Sequence, residues 1–487
     1  MLHLLTFGIL VVASPQDRFD GIDDYVRQAM ATWEVPGLAI AVVDHGEVVL
    51  AKGYGVRVLG TESPVTPSTA FPIASCAKAF VTGSLAALID DGELSWDDPV
   101  TKYLPELRFS DEWRTEHLTL RDLAAHRTGL QRCDLLTDHF QEPEDVLARV
   151  CFVPAVAEPR TRLTYSNAMF TVLGQVVAAV AEKPHQAFLH SRLLEPLGMS
   201  STWMSGDEVP QDRVVHRHWR SDDGIVSRPI DTGMHSTVLD MTRWLRLHLG
   251  AGRFEDRQVL EDATVREMHA LQVSVPIRWR QTENPYAAKF YGSGLGWFVQ
   301  EYRGHKLVMH TGSWGAVTAM LPELQVGVVV LSNLDLESLP ALLMFDVFDA
   351  YLLGPETWDP SKWSAAWLKN EPPGVAYRPR DRAREKLAAE RRGDRPAARP
   401  LKELAGRYES PLHGAIEISV REETLLLSYG PHHTELSHWE ADAYYARTPT
   451  DLTFDWLVTF GSETLTVHHV GWDADEADLT FTRKSDR

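Results

Sequence analysis

The sequence predicts an α+β fold, in which an antiparallel sheet is flanked by helices and joined by a helical subdomain, followed by a small all-β domain. Strand-like segments stand at both ends of the region that runs to residue 352, and helical segments fill its middle. This order favours a single sheet completed by both ends of one domain over a βαβ repeat. Several short strand-like runs near the carboxyl terminus predict the second domain.

The spacing of apolar residues predicts the individual elements of the first domain. Residues 21–32 fit an amphipathic helix, and the two segments that follow fit a β-hairpin around the turn Asp44-His45-Gly46. Residues 75–90 fit a helix that stops at Asp91-Gly92. In chain order, the hairpin strands are 38–43 and 48–52, the later helices are 168–182, 185–194 and 239–249, and the late strands are 296–302, 306–309, 316–321 and 326–331.

A change of composition separates the two predicted domains. The first spans residues 18–352, and residues 353–400 form a charged linker that begins its turn-rich part at Pro372-Pro373-Gly374 and contains a helix-like stretch at 383–392. Residues 401–487 then predict a small β-barrel-like domain. Its strand-like runs are 416–420, 425–428, 452–454, 465–467 and 479–482.

Composition and charge restrict the class of protein. The chain has 487 residues, of which 44% are hydrophobic and 24% charged, and such values are typical of a soluble globular protein. Its 48 Lys and Arg against 68 Asp and Glu leave a net charge of −20. This balance argues against a nucleic-acid partner, because phosphate backbones attract basic surfaces.

Cysteine and histidine usage points to neither a disulfide scaffold nor a metal centre. The chain has three cysteines, Cys76, Cys133 and Cys151. A single disulfide, Cys133–Cys151, stays an alternative if the protein is in an oxidising compartment. We therefore predict no metal and no other cofactor. The histidines that stand close together lack the spacing of a metal motif and fit surface positions: His216 with His218, His432-His433 and His468-His469.

The first residues resemble a targeting segment. Residues 1–14 are mostly apolar and end near Val11-Val12-Ala13 in the manner of a signal peptide, although no basic residue precedes the apolar run. We expect an exported protein, periplasmic or extracellular; the alternative is a cytoplasmic protein whose start is mis-assigned or whose first element is buried. The segment is too short to cross a bilayer, and we expect no integral membrane span elsewhere.

Three short motifs carry the chemistry, and the first is Ser75-Cys76-Ala77-Lys78. Ser75 opens the predicted helix, so Ser75 and Lys78 stand one turn apart on one face. A hydroxyl needs a proton acceptor to become a nucleophile, and an amine at this spacing can supply one. The start of the helix also directs backbone N–H groups towards developing negative charge. Alone, the motif also fits an N-cap serine followed by a surface lysine.

The second and third motifs add a phenol, an amide and a glycine at a strand end. In Tyr165-Ser166-Asn167, Tyr165 can relay a proton between Ser75 and a leaving group, and Asn167 can hold a substrate amide. In His310-Thr311-Gly312, the glycine allows a substrate to lie close to a strand edge. The N–H of the next residue, Ser313, can join that of Ser75 as an oxyanion hole.

Together and in this order, the motifs resemble the active-site set of the serine β-lactamase and penicillin-binding-protein superfamily, in particular its class C-like branch, where Ser-x-x-Lys, Tyr-x-Asn and Lys/His-x-Gly recur. The resemblance covers most of residues 20–335, and residues 404–409 with 414–417 resemble a lipocalin-like β-domain. Further segments similar to the branch are Val35-Pro36-Gly37, Leu120-Arg121-Asp122-Leu123, His126-Arg127-Thr128-Gly129-Leu130, Glu195-Pro196-Leu197-Gly198-Met199 and Gly294-Leu295-Gly296-Trp297.

The resemblance implies the serine β-lactamase/DD-peptidase fold and a serine hydrolase. Ser75 would attack a carbonyl and form an acyl-enzyme, while Lys78 and Tyr165 share the proton transfers. Asn167 would orient the substrate, which Gly312 and His310 also contact. The expected partner is a small-molecule or peptide substrate: a β-lactam, a D-amino-acid peptide or an acyl ester. The oligomeric state stays open.

Three departures from the family pattern affect the predicted cleft. His310 stands where class C β-lactamases carry lysine, so we expect a weaker, pH-dependent cation near neutrality, as in D-peptidases and D-aminopeptidases of the branch. The loop Ser313-Trp314-Gly315-Ala316 is short, and Arg160 stands where glycine is frequent. Two other hypotheses remain: a non-catalytic penicillin-binding-like sensor or scaffold, and a metallohydrolase built on the histidine pairs, which chelators would inhibit.

Overall fold

A computed structural model describes residues 17–139, 142–221, 224–275, 288–335, 339–353, 395–430, 432–446, 455–470 and 478–484. The predicted leader at 1–14, the helix-like stretch at 383–392 and the strand-like run at 452–454 lie outside these ranges. Among the described residues, no helix combines the length and the apolar character that a bilayer crossing requires.

The first domain has one eight-stranded sheet, helices that cover both of its faces, and three two-stranded sheets. Its strands are β1 (Gly37–Asp44), β2 (Glu47–Gly55), β3 (Phe71–Pro72), β4 (Arg217–Ser221), β5 (Gly224–Arg228), β6 (His235–Ser236), β7 (Arg253–Phe254), β8 (Arg257–Gln258), β9 (Val273–Ser274), β10 (Tyr291–Ser293), β11 (Phe298–Tyr302), β12 (His305–Gly312), β13 (Ala316–Leu321) and β14 (Val326–Ser332). Its helices are α1 (Ile22–Trp33), α2 (Lys78–Asp90), α3 (Glu112–His117), α4 (Leu120–Ala124), α5 (Asp134–His139), α6 (Pro143–Arg149), α7 (Asn167–Ala181), α8 (His185–Leu189), α9 (Glu195–Leu197), α10 (Val238–Leu249), α11 (Asp262–Met268) and α12 (Leu339–Leu352). The two-stranded sheets are β3-β6, β4-β5 and β7-β8.

Both ends of this domain build the same sheet, which confirms the predicted α+β class. The strand order is β2-β1-β14-β13-β12-β11-β10-β9, and every neighbouring pair is antiparallel. The amino-terminal hairpin joins the late strands through β1 and β14, where Leu38 pairs with Ser332. Strands that are distant in the chain are therefore neighbours in the sheet.

Successive residues of β1 point into two different cores. Ala39 and Ala41 belong to the core that includes residues of α2, α7 and α10. Leu38 and Ile40 belong to the core that includes residues of α1 and α12. Because side chains alternate along a strand and helices cover both faces, the central strands are apolar throughout and not only on one side.

Most predicted helices are shifted by one residue at an end, and two predicted segments also differ in helix type. The segment predicted at 75–90 begins as a 3₁₀ helix, Ala74–Ala77, and becomes α-helical only at Lys78. The segment predicted at 185–194 consists of α8 and a π-helical turn, His190–Leu194, before α9. Pro196 has no N–H to donate to a carbonyl one turn earlier, which interrupts regular α-helical bonding here.

The second domain is a closed eight-stranded antiparallel barrel, preceded by the short helix α13 (Leu401–Leu404). The strand-like runs predicted at 416–420, 425–428, 465–467 and 479–482 fall within its strands, whereas β15, β18, β19 and β20 were not predicted. In β18, Leu436 is the only buried residue, so its apolar pattern is weak. The strands are β15 (Gly406–Ser410), β16 (Gly414–Arg421), β17 (Thr424–Tyr429), β18 (His432–Glu440), β19 (Ala443–Ala446), β20 (Asp455–Phe460), β21 (Thr464–Val470) and β22 (Leu479–Arg483).

The barrel contacts the first domain through the turn between β15 and β16. Leu412 in this turn is 7% exposed and belongs to the core of α2, α7 and α10 instead of the barrel core. Beside it, Arg149 Nη1 of α6 donates a hydrogen bond to the carbonyl oxygen of Pro411 at 2.6 Å. The Cys133–Cys151 bridge that the sequence left open is not formed in this structure.

Candidate active site

The candidate nucleophile Ser75 lies in a sharp turn between β3 and α2. Ala74, directly before it, has a φ of +45°, in the left-handed region that costs a residue with a Cβ about 1 kcal/mol or more. The end of β12 packs against this turn so closely that a Cβ on Gly312 would lie 2.5 Å from the carbonyl oxygen of Ile73. Gly312 is therefore required for β12 to reach the Ser75 turn.

Two side chains of the predicted set meet at the hydroxyl of Ser75. Lys78 Nζ donates a hydrogen bond to Ser75 Oγ at 3.0 Å, and Tyr165 OH donates one to the same oxygen at 2.9 Å. Lys78 is 7% exposed, although lysine side chains usually lie at the protein surface. It stands one turn after Ser75, as the sequence spacing predicted. The structure thus places a buried amine and a phenol within hydrogen-bond distance of one hydroxyl.

The buried ring of His126 packs against the ring of Tyr165. The two ring centroids are 4.2 Å apart, and His126 Nδ1 accepts a hydrogen bond from the backbone N–H of Ser166 at 3.1 Å. Burial and the nearby charge of Lys78 hold the pKa of His126 well below its usual range, so its ring stays neutral. Its contacts are those of a structural residue.

Asn167 connects Lys78 to two residues that the sequence analysis missed. Asn167 Oδ1 accepts a hydrogen bond from Lys78 Nζ at 2.6 Å, and Asn167 Nδ2 donates one to Asp134 Oδ1 at 3.0 Å. Asp134 Oδ2 in turn accepts from Arg132 Nε at 2.7 Å. The only signal for Arg132 and Asp134 was that they follow the family-like segment ending at Leu130, since no motif includes them.

His310 lies beside these residues, but the expectation of a cation near neutrality is wrong. It is 2% exposed, and burial, together with the charge of Lys78, lowers its pKa to about 3. Its Nδ1 is 2.8 Å from the carbonyl oxygen of Thr311, so the single proton of the neutral ring is on Nδ1 and donates there. The Phe298 ring centroid is 5.1 Å away, so an aromatic side chain also contacts the imidazole.

The remaining predicted residues lie in the turn at the end of β12. Gly315 N–H donates to the carbonyl oxygen of Gly312 at 3.2 Å, which closes the short turn that contains the exposed Ser313. Because Gly312 contacts the turn that holds Ser75, the next residue, Ser313, also lies near that turn. Cys76 packs below with its Sγ 3.3 Å from the carbonyl oxygen of His310, and burial raises its thiol pKa to about 12.

Arg160, where the family pattern favours glycine, has a φ of +68°, a backbone conformation that glycine adopts most easily. Its guanidinium compensates by binding the fully buried Asp122, with Nη2 2.8 Å from Oδ2. Arg127 Nε also donates to Asp122, at 2.7 Å. Burial opposes ionisation of Asp122, but these bonds outweigh it and lower the pKa of the carboxyl group. The pair fixes the segment that leads to Tyr165.

Across the part of the chain that is described, no group of three or more His, Cys, Asp or Glu side chains is arranged to hold a metal ion. What the arrangement does offer is a hydroxyl with two proton-exchanging neighbours and a strand edge beside it. These are the parts that nucleophilic catalysis on a carbonyl requires.

Comparison with known proteins identifies the family of the chain. The family model described as Beta-lactamase matches residues 22–346, and a second, described as a domain of unknown function (DUF3471), matches residues 390–485. The chain therefore belongs to the β-lactamase family, as the three motifs predicted.

Individual relatives are distant in sequence. Unguisins hydrolase ungD' of Aspergillus campestris is 28% identical over 386 residues, which cover 72% of this chain and 70% of that protein. The chain spans 60 to 70% of the length of the curated relatives that it matches.

Solved structures show the same fold. The octameric penicillin-binding protein homologue from Pyrococcus abyssi has a TM-score of 0.61 at 23% identity, over 95% of this chain and 99% of that one. A class C β-lactamase from Rhodobacter sphaeroides has a TM-score of 0.54 at 22% identity, over 68% of this chain and 99% of that one. The match to the Pyrococcus protein covers nearly the whole of this chain.

Proposed function

We propose that the protein is a serine hydrolase that cleaves an amide or ester through an acyl-enzyme on Ser75. The observation that supports this most directly is that Lys78 Nζ and Tyr165 OH both lie within 3.0 Å of Ser75 Oγ. The substrate classes that fit are D-amino-acid peptides, β-lactams and acyl esters, because each places a carbonyl carbon within reach of such a hydroxyl.

Acylation begins when Ser75 loses its proton. Its oxygen accepts hydrogen bonds from both neighbours, so one of them must first be in its unprotonated form, as amine or phenolate. Ser75 Oγ then forms a bond to the substrate carbonyl carbon while its proton passes to that neighbour. Collapse of the tetrahedral intermediate expels the amine or alcohol, which takes up the proton from the Lys78–Tyr165 pair.

The backbone can stabilise the negative charge that develops on the carbonyl oxygen. The N–H of Ser75 lies in the first turn of a 3₁₀ helix, where N–H groups are directed away from the helix body. We assign the second donor to the N–H of Ser313, in the turn that follows Gly312. In deacylation, Tyr165 accepts a proton from water as the water oxygen bonds to the acyl carbon. The bond from the acyl carbon to Ser75 Oγ then breaks, and Ser75 takes a proton back from the Lys78–Tyr165 pair, while the same two donors face the carbonyl oxygen.

Asn167 and His310 are proposed to contact the substrate. One N–H of Asn167 Nδ2 is directed at Asp134, and the second is available for a substrate carbonyl. Neutral His310 offers a hydrogen-bond acceptor at Nε2 and no positive charge. At this position the site therefore supplies a polar, uncharged contact to the substrate.

Mass spectrometry of the intact protein tests the proposal. After incubation with a penicillin or a nitrophenyl ester, the wild type should gain the mass of one acyl group on Ser75 and then lose it as the acyl-enzyme is hydrolysed. Ser75→Ala should gain none, whereas Ser68→Ala, which changes an exposed serine outside the site, should behave like the wild type. A stable adduct without turnover would instead support the non-catalytic sensor.

A substrate panel then identifies the substrate class. Nitrophenyl esters, D-alanine peptides and a chromogenic cephalosporin are compared between the wild type and Ser75→Ala. Turnover that persists in Ser75→Ala, or that chelators abolish, would contradict the assignment of Ser75 and support the metallohydrolase hypothesis.

A further inference from the structure

The two carboxylate oxygens of Asp134, the first residue of α5, bind different partners: one binds Asn167 of the candidate site, and the other binds Arg132. Oδ1 accepts a hydrogen bond from Asn167 Nδ2 at 3.0 Å, and Oδ2 accepts from Arg132 Nε at 2.7 Å and lies 2.6 Å from Arg132 Nη2. The side chain of Asp134 is 14% exposed. A carboxylate that is this buried and shared between two fixed partners has little freedom to turn.

The chemistry of this contact sets the orientation of the Asn167 amide. A carboxylate only accepts hydrogen bonds, so it must face the NH₂ end of the amide. The carbonyl end, Oδ1, is then forced towards Lys78, whose Nζ lies 2.6 Å away. Without Asp134, the amide could turn over and present its NH₂ group to Lys78, which would remove a strong acceptor from the amine.

Arg132 also contacts Tyr165, the second side chain that donates a hydrogen bond to Ser75 Oγ. Its guanidinium carbon lies 5.1 Å from the centroid of the Tyr165 ring, within the range of a cation–π contact. Arg132 and Asp134 therefore contact, directly or through Asn167, both of the side chains that bond to Ser75 Oγ.

We infer that Arg132 and Asp134 form a positioning pair that holds Asn167, and with it Lys78, and supports Tyr165 in the geometry needed for proton exchange with Ser75. The inference rests on the proposed function and adds two residues to it. Neither residue touches the reacting atoms, so the pair acts on acylation through its neighbours.

Single-turnover acylation by an activated ester tests the inference. Asn in place of Asp134 can keep only one of the two contacts, because one end of its amide is a donor, and Ala keeps neither. For an activated ester that offers Asn167 no second carbonyl, we expect Asp134→Asn and Asp134→Ala to acylate roughly 10- to 100-fold more slowly with KM nearly unchanged, since small displacements of reacting groups cost factors of this size. Asp145→Asn, which removes an exposed carboxylate from the adjacent α6, should acylate like the wild type.

Two further measurements separate positioning from loss of folding. Thermal melts should show that the Asp134 variants are folded; if they are not, Arg132→Gln and Arg132→Lys replace them, and acylation should be slowed more by Gln than by Lys. Folded Asp134 or Arg132 variants that acylate at the wild-type rate would overturn the inference.

Crystal structures of the wild type and of Asp134→Ala provide a readout that needs no substrate. In the variant we expect the Asn167 amide to turn and Lys78 Nζ to leave hydrogen-bond distance of Ser75 Oγ. Unchanged positions of both groups would overturn the inference. If no substrate acylates the wild type, the proposed function fails on its own, and this comparison still decides whether Asp134 positions Asn167.

Discussion

Lys78 Nζ lies 4.8 Å from the centroid of the Tyr165 ring while both side chains donate to the same oxygen, Ser75 Oγ. The amine and the phenol therefore also lie close to each other, and a charge on one acts on the other. Replacing either group should change how the other exchanges its proton.

Removal of the Tyr165 hydroxyl should slow acylation without disturbing the packing. Tyr165→Phe keeps the ring that stacks on His126, so we expect the fold to persist and the acylation rate to fall by about 10²- to 10⁴-fold, the usual contribution of one general acid–base group. Rapid-mixing kinetics with a nitrophenyl ester measure the rate. Tyr103→Phe, which removes a phenol bonded to Asp98 outside the site, is the matched control. Equal rates in the two variants would exclude Tyr165 from the proton transfers.

A methyl group at position 312 should push β12 away from the Ser75 turn. The new Cβ would lie 2.5 Å from the carbonyl oxygen of Ile73 and 3.0 Å from Ala74 Cβ, so Gly312→Ala should cost about 1 to 3 kcal/mol and reduce activity sharply. Urea denaturation and ester hydrolysis measure the two effects. Gly304→Ala has no atom within 4 Å of its Cβ but a φ of +87°, so it should lose about 1 kcal/mol and keep full activity. Full activity in Gly312→Ala would show that the close approach is not needed.

Buried histidines should make the protein less stable in mild acid. Burial lowers the pKa of His248 to about 3 and that of His185 to about 4, whereas in the unfolded chain both titrate near 6.5. Below pH 6.5 the unfolded state thus binds protons that the folded state does not. The free energy of unfolding should therefore fall as the pH decreases, by up to about 1.4 kcal/mol per pH unit for each such histidine.

Urea denaturation between about pH 7.5 and pH 5 tests this dependence. His248→Gln should make the fall in unfolding free energy less steep, because the variant lacks one group that titrates only when unfolded. His433→Gln changes an exposed histidine and should leave the slope as in the wild type. An identical slope in wild type and His248→Gln would contradict the prediction.

Leu412 should hold the barrel against the first domain. Because it is 7% exposed and belongs to the core of the first domain, Leu412→Ala should cost about 2 kcal/mol or more at this contact. Hydrogen exchange of the backbone amides in α6 should become faster, since Arg149 of this helix binds the same turn. Leu59→Ala, at a leucine that is 44% exposed, should change stability by less than about 0.5 kcal/mol. Unaltered exchange in α6 would mean that the contact adds little.

The sequence predicted those parts of the site that depend on local geometry or on motif order. Ser75 and Lys78 are three residues apart, and helical geometry alone places them on one face. The order of the three motifs indicated the family, and the family indicated that Tyr165 and Asn167 belong beside them. In the barrel, β16, β17, β21 and β22 were predicted from their apolar runs, whereas β18, with Leu436 as its one buried residue, was not.

Two features were decided by tertiary structure. The protonation of His310 depends on its burial beside Lys78 and Phe298, and burial is a property of the packed chain. The contact between Asp134 and Asn167 joins residues that are 33 positions apart and that no local periodicity connects.

Sequence alone thus determined the fold class, the family and the candidate nucleophile, because these follow from patterns along the chain. Packing decided which charges persist inside the site and which side chains orient its amide, since desolvation and long-range hydrogen bonds exist only once distant segments have come together.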